Sequence, residues 1–129
     1  MITEIIARLN SETENFTTID HAWDTEPVDD VRDVIPALYL FPGDESTEND
    51  GTDYLESKRV HAEMHVYVVC DISDLEARKA ELRAALIGWP PTAAYTDLGL
   101  VSGKTVSLKG GLVWWQDVYR TAVTIREQY

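Results

Sequence analysis

The chain has 129 residues, 44% of them hydrophobic and 26% charged, the balance of one globular domain (1–129) able to bury a core. Its formal net charge of −12 comes wholly from residues 1–58, with 15 acids and 3 bases, since residues 59–129 hold 8 of each. That sign argues against DNA binding, which needs Lys and Arg on the phosphates, and suits solubility, a basic partner or repulsion of a passing polyanion.

No basic segment followed by an apolar run opens the chain, so no signal peptide is expected. No apolar stretch has membrane-spanning length, so no membrane partner is expected. Cys70 is the single cysteine, which excludes an intrachain disulfide and fits synthesis in a reducing cytoplasm.

Ile2, Ile5, Ile6 and Leu9 recur at helical spacing and predict an amphipathic first helix. Phe16 to Trp23 reads as a short strand. Pro27 suits the first position of a second helix, striped by Val28, Val31 and Ile35 and ended by Pro36. Residues 37–41, Ala-Leu-Tyr-Leu-Phe, form a compact buried strand that Pro42-Gly43 should stop. Residues 43–53 carry five acids and no large apolar side chain, so 43–57 is expected to be an acidic mobile loop or hairpin tip.

Arg59 to Asp71 alternates. Val60, Ala62, Met64, Val66, Val68 and Cys70 share one face, and Arg59, His61, Glu63, His65, Tyr67 and Val69 share the other. Ser73 and Glu76 have capping-box spacing before a helix that turns Leu75, Leu82, Ala85 and Leu86 inward. Gly88 and Trp89-Pro90-Pro91 end it. Gly99 to Leu108 is a strand, and Gly110-Gly111 turns it into a last long strand. The order predicts an α+β fold: a single mostly antiparallel or mixed sheet, helices packed on one face, and a protruding hairpin.

Signals for chemistry are weak, and no catalytic, metal or cofactor-binding residue is assigned. His61 and His65 lie four residues apart on one strand, about 13 Å, too far to grip one zinc ion. Cys70 falls on the apolar face, where a small buried hydrophobe is the natural role. Gly99 to Thr105 ends in Gly-Lys-Thr, but its glycine spacing is one short of a phosphate loop and no helical pattern follows. The acids of 43–53 lack the fixed geometry that acid–base catalysis needs.

Residues 84–91, Ala-Ala-Leu-Ile-Gly-Trp-Pro-Pro, precede a glycine-bearing strand. Then comes Gly-Gly-Leu-Val-Trp-Trp-Gln-Asp-Val-Tyr-Arg-Thr and a closing Ile-Arg. This pattern resembles the C-terminal half of tail-terminator proteins of long-tailed bacteriophages and prophages. The Ile-Ile-Ala-Arg-Leu helix and the strand ending in Pro-Gly extend the resemblance over nearly the whole length. It is strongest over 84–126, and the acidic 43–53 segment is the departure.

The resemblance implies an assembly protein made in the host bacterial cytoplasm and residing in the virion tail. It implies a ring, usually of six copies, that caps the tail tube, stops its polymerisation and joins the tail to the head or neck. The implied partners are the chain itself, the tail tube protein and a head-completion or neck protein, with DNA passing through without specific binding. The alternatives are another head–tail connector or tail-completion protein, or a small ligand-binding α+β domain or enzyme.

Trp, Tyr and Arg are enriched at interface hot spots. Alternation of the last strand sets Trp115 with Val113, Tyr119, Val123 and Ile125, the more apolar side, so Trp115 is the expected core residue. Trp114 shares its side with Gln116, Val118, Arg120 and Arg126. Trp114, Gln116, Arg120 and Trp89 are therefore the candidates for a subunit or tube interface. Asp44, Glu45, Glu48, Asp50 and Asp53 are the candidates for an acidic channel or partner-facing loop. Arg120 has Asp117, or an acid on a neighbouring strand, as its simplest partner.

Overall fold

A computed structural model describes residues 1–22, 32–49 and 57–126. Helix α1, Ile2–Glu12, buries Ile5 and Leu9 completely. Thr13 ends it, where the backbone N–H and the hydroxyl both donate to the Leu9 carbonyl, at 3.0 and 2.6 Å.

Strand β1, Thr18–His21, then runs parallel to β2, Ala37–Asn49, with Thr18 beside Ala37 and His21 beside Leu40. Strand β3, Ser57–Asp71, pairs antiparallel with β2 and with β5, Leu112–Arg126. Strand β4, Gly99–Lys109, pairs antiparallel with β5. The result is one five-stranded mixed sheet in the order β1-β2-β3-β5-β4, an α+β fold as expected.

Two local expectations change, and a third lies mostly outside the described residues. Pro42-Gly43 does not stop β2. The β2–β3 ladder skips register between Pro42 and Glu45 and then continues to Asn49 opposite Lys58. A bulge of this kind lets a residue without an N–H sit in a strand whose partner persists beyond it. Residues 44–49 are thus strand, not loop, while Asp50 and Asp53 lie outside the described residues.

The helix expected from Pro27 falls mostly outside the described residues. Its described end is a 3-10 turn, Arg32–Val34. Ser73 does not form the capping box. A 3-10 turn at Ile72–Asp74 leads into α2, Leu75–Leu86, and no side-chain cap bonds its first turn.

Gly110 and Gly111 make the β4–β5 turn at φ +60° and +82° between paired Lys109 and Leu112. Positive φ at both central positions gives a two-residue hairpin whose twist matches its strands, and glycine adopts it without strain.

α1 and α2 cover one face of the sheet. Ile5, Leu9, Leu82 and Leu86 meet Leu38, Leu40, Met64, Val66, Val68, Val113 and Tyr119 in the main core. The opposite face builds a second cluster from Ala37, Tyr67, Val69, Leu112 and Trp114. Val34, Ile35, Tyr39, Phe41 and Val106 pack around it.

Candidate assembly surfaces

Adjacent residues of a strand point to opposite faces, so Trp114 and Trp115 enter different clusters. Trp115, the expected core residue, lies only half-buried against the helix-side core. Its indole N–H donates to Asp117 Oδ1 at 2.7 Å, and the Lys79 ammonium from α2 lies 4.0 Å from its ring centroid.

Trp114 is the more enclosed of the pair, at 4% exposure. It stacks on Tyr39 at 5.9 Å between ring centres and meets the edge of Tyr67 at 5.4 Å. Phe41 continues this contact line, 5.2 Å from Tyr67 and 4.9 Å from the His65 ring. Trp114, a candidate for a subunit or tube interface, is buried inside its own chain by aromatic side chains of β2 and β3.

The other candidates divide similarly. Gln116 is nearly buried, and its side-chain amide meets His65 Nδ1. Trp89 is half-buried on the helix-side core, with the Arg8 guanidinium 5.3 Å from its ring centroid. Arg120 is exposed and sits opposite Glu63 on the β3–β5 ladder. Asp44 and Glu45 are exposed on the part of β2 beyond β1. Glu48 has its backbone in β2.

Asp117 does not pair with Arg120, which points from the other face. Its carboxylate is fully buried on the helix side and receives four hydrogen bonds. Arg83 of α2 donates through Nε and a terminal nitrogen at 3.0 and 2.9 Å. The Trp115 N–H gives a third, and the Tyr119 hydroxyl gives the fourth at 2.9 Å. A buried carboxylate is tolerable when its oxygens are satisfied in this way.

The network leaves two imprints on ionisation. The hydrogen bond to Asp117 holds the Arg83 guanidinium more firmly protonated than usual. Burial, helped by the Asp117 charge, pushes the Tyr119 phenol well above its ordinary range. Gly103 of β4 lies against this cluster, and a methyl group there would stand 2.7 Å from the Trp115 ring and 2.9 Å from Asp117 Oδ1.

This network was missed from sequence. The signal was an acid at an apolar parity position, between Trp115 and Tyr119, in a chain whose preceding helix carries Arg83.

Among the described residues, no group of three His, Cys, Asp or Glu side chains is placed to hold a metal ion. Cys70 is buried, and burial pushes its thiol up to about 11, far from a reactive thiolate. The Gly99 to Thr105 segment lies inside β4 and is no phosphate loop. No described helix is long and apolar enough to cross a membrane. What the chain presents is surface: an exposed edge at β4, an acidic extension of β2, and Arg120 on the face opposite the helices.

Comparison with known proteins points the same way. The phage tail terminator family matches residues 2–129. A chain from a structure titled "Virion of native gene transfer agent (GTA) particle" shares the fold, with a TM-score of 0.52 at 14% identity. The match covers 94% of this chain and 84% of that one. The comparison with curated proteins returns no match.

Proposed function

We propose, for a chain that belongs to the phage tail terminator family, that it acts by assembly and not by catalysis: copies close into a ring, six in number, that caps the tail tube. The ring stops tube polymerisation and offers its far side to a head-completion or neck protein. The family match over nearly the entire chain carries this reading. A virion-derived fold relative accords with it.

The charge suits a channel wall. Six copies at −12 each would carry roughly −72, and acidic surface around a lumen repels passing DNA and limits sticking. Asp44 and Glu45 on the β2 extension are the described acids best placed for such a surface, with Glu48, Asp50 and Asp53 following them in sequence. Arg120 leads the interface candidates because it alone among them is exposed. Trp114 and Gln116, on the same face, contribute by holding the shape of that surface, while Trp89 packs on the helix side.

The test mixes the purified protein with polymerising tail tube protein and images the product. Capping predicts tubes that stop growing and carry added density at one end. Tubes that elongate past the set length with bare ends would remove the proposal. Arg120→Glu in a folded chain should reduce capping at least tenfold if Arg120 touches tube or neighbour.

A further inference from the structure

The two edge strands of the sheet are complementary. β4 contains Lys104 and Lys109 and no acid, a local exception in a chain of −12. It exposes Leu100, Val101 and Leu108 at 36%, 52% and 56%. β1, at the other edge, contains the exposed acid Asp20. Among the described residues, no strand lies outside either one. Edges of this kind template further strand pairing, and on β1 the His21 N–H donates to the Asp20 carboxylate at 2.7 Å.

The registers connect the edges rung by rung. Asp20 pairs with Tyr39, Tyr39 with Tyr67, Tyr67 with Gln116, and Gln116 with Lys104. Asp20 and Lys104 therefore end the same rung, on the same face, at opposite edges. Neighbouring rungs bring Ile19 level with Thr105, and His21 level with Gly103.

Register shifts break β4 between Leu100 and Ser102 and between Thr105 and Ser107. The regular run between them, Ser102–Thr105, matches the 4 residues of β1 in length.

Strand direction completes the match. β1 is parallel to β2, while β3, β5 and β4 alternate in turn, so β1 and β4 run in opposite senses. A rotation about an axis along the strands preserves each strand's direction. It therefore sets β4 of one copy antiparallel to β1 of the next, through a heterologous contact of the kind that closes rings.

We propose that the outer edge of β4 docks the outer edge of β1 of a second copy of this chain, with Lys104 set across from Asp20. The pairing extends the sheet from copy to copy and places an acid-free strand against an acidic edge of its neighbour. Opposite charges directly across a strand pair favour that register, and like charges disfavour it. The inference deepens the ring reading and rests on it for its setting in the tail.

The experiment uses one chain carrying both Asp20→Cys and Lys104→Cys, oxidised in concentrated solution and on tails assembled with it. Cys70 is buried and stays out of the reaction. Edge pairing predicts a ladder of disulfide-linked multimers, while either single substitution gives none beyond a dimer. In parallel, Asp20→Lys alone and Lys104→Asp alone should each weaken self-association at least tenfold, and mixing the two should restore it.

A ladder, or restoration on mixing, supports the pairing. Absence of both in solution and on tails overturns it. Capped tails without either result would leave capping intact and remove the edge contact. A ladder in solution from a chain whose wild type never caps tubes would do the reverse.

Discussion

The two faces of the sheet are closed by different means. Helices α1 and α2 cover one face with aliphatic packing, and the buried Asp117 is tied there by Arg83, Trp115 and Tyr119. On the other face, Tyr39, Tyr67 and Trp114 cover one another, with a short 3-10 turn beside them among the described residues. The first face depends on a charge kept satisfied and the second on ring area kept dry. One Trp-Trp pair serves both, because strand alternation sends each indole to its own side.

The largest effect should come from removing the buried acid. Asp117→Ala strips the partner from the Arg83 guanidinium, the Trp115 N–H and the Tyr119 hydroxyl together. Each buried donor left without its acceptor costs about 1–3 kcal/mol, so the losses accumulate over the Trp115 and Tyr119 groups. Arg83→Ala should cost less, because Arg83 is 30% exposed and Asp117 keeps two neutral donors. Urea unfolding of both variants and of the double variant measures the coupling. Equal losses for the two single changes would contradict this account of the network.

The tryptophans give the sharper contrast between the faces. Trp114→Ala empties the centre of the aromatic cluster and should cost about 3–5 kcal/mol. Trp115→Ala should cost less, since Trp115 is only half-buried at the margin of the helix-side core and its polar losses are one hydrogen bond and the Lys79 contact. Near-ultraviolet circular dichroism and unfolding midpoints read both. If Trp114→Ala proved the milder of the two, the second face would be decoration and not a core.

That ranking shows what was and was not legible in the chain. Periodicity marked α1, β3, α2 and the β4–β5 hairpin because each carries its own repeat or turn chemistry. Alternation also placed Trp114 on the side of Gln116 and Arg120. It did not reveal that Ala37, Tyr39, Tyr67 and Val69 would gather on that side, since the register between β2, β3 and β5 is a non-local fact. The same holds for β2 beyond Pro42. Its polar residues have no strand pattern of their own and are strand because β3 supplies the ladder. Arg83 and Asp117 are 34 positions apart and meet only once α2 packs on the sheet.

The smallest effect is also the most specific, because it isolates one hydrogen bond on the helix face. Tyr119→Phe keeps the ring and deletes the hydroxyl that donates to Asp117, a loss of about 1 kcal/mol near neutral pH. Its signature lies at alkaline pH. The folded phenol is fully enclosed, and burial beside Asp117 raises its pKa above the unfolded value of about 10. Above that pH the unfolded chain has released this proton and the folded chain has not. Stability from this group is therefore whole below the unfolded pKa and declines as pH rises toward the folded one. Burial also raises Tyr39 on the opposite face, so some alkaline slope should survive the substitution. Unfolding midpoints between about pH 7 and pH 11 should thus fall less steeply for Tyr119→Phe than for the wild type. Parallel slopes would mean that the folded chain lets Tyr119 ionise freely, which its bond to a buried carboxylate forbids.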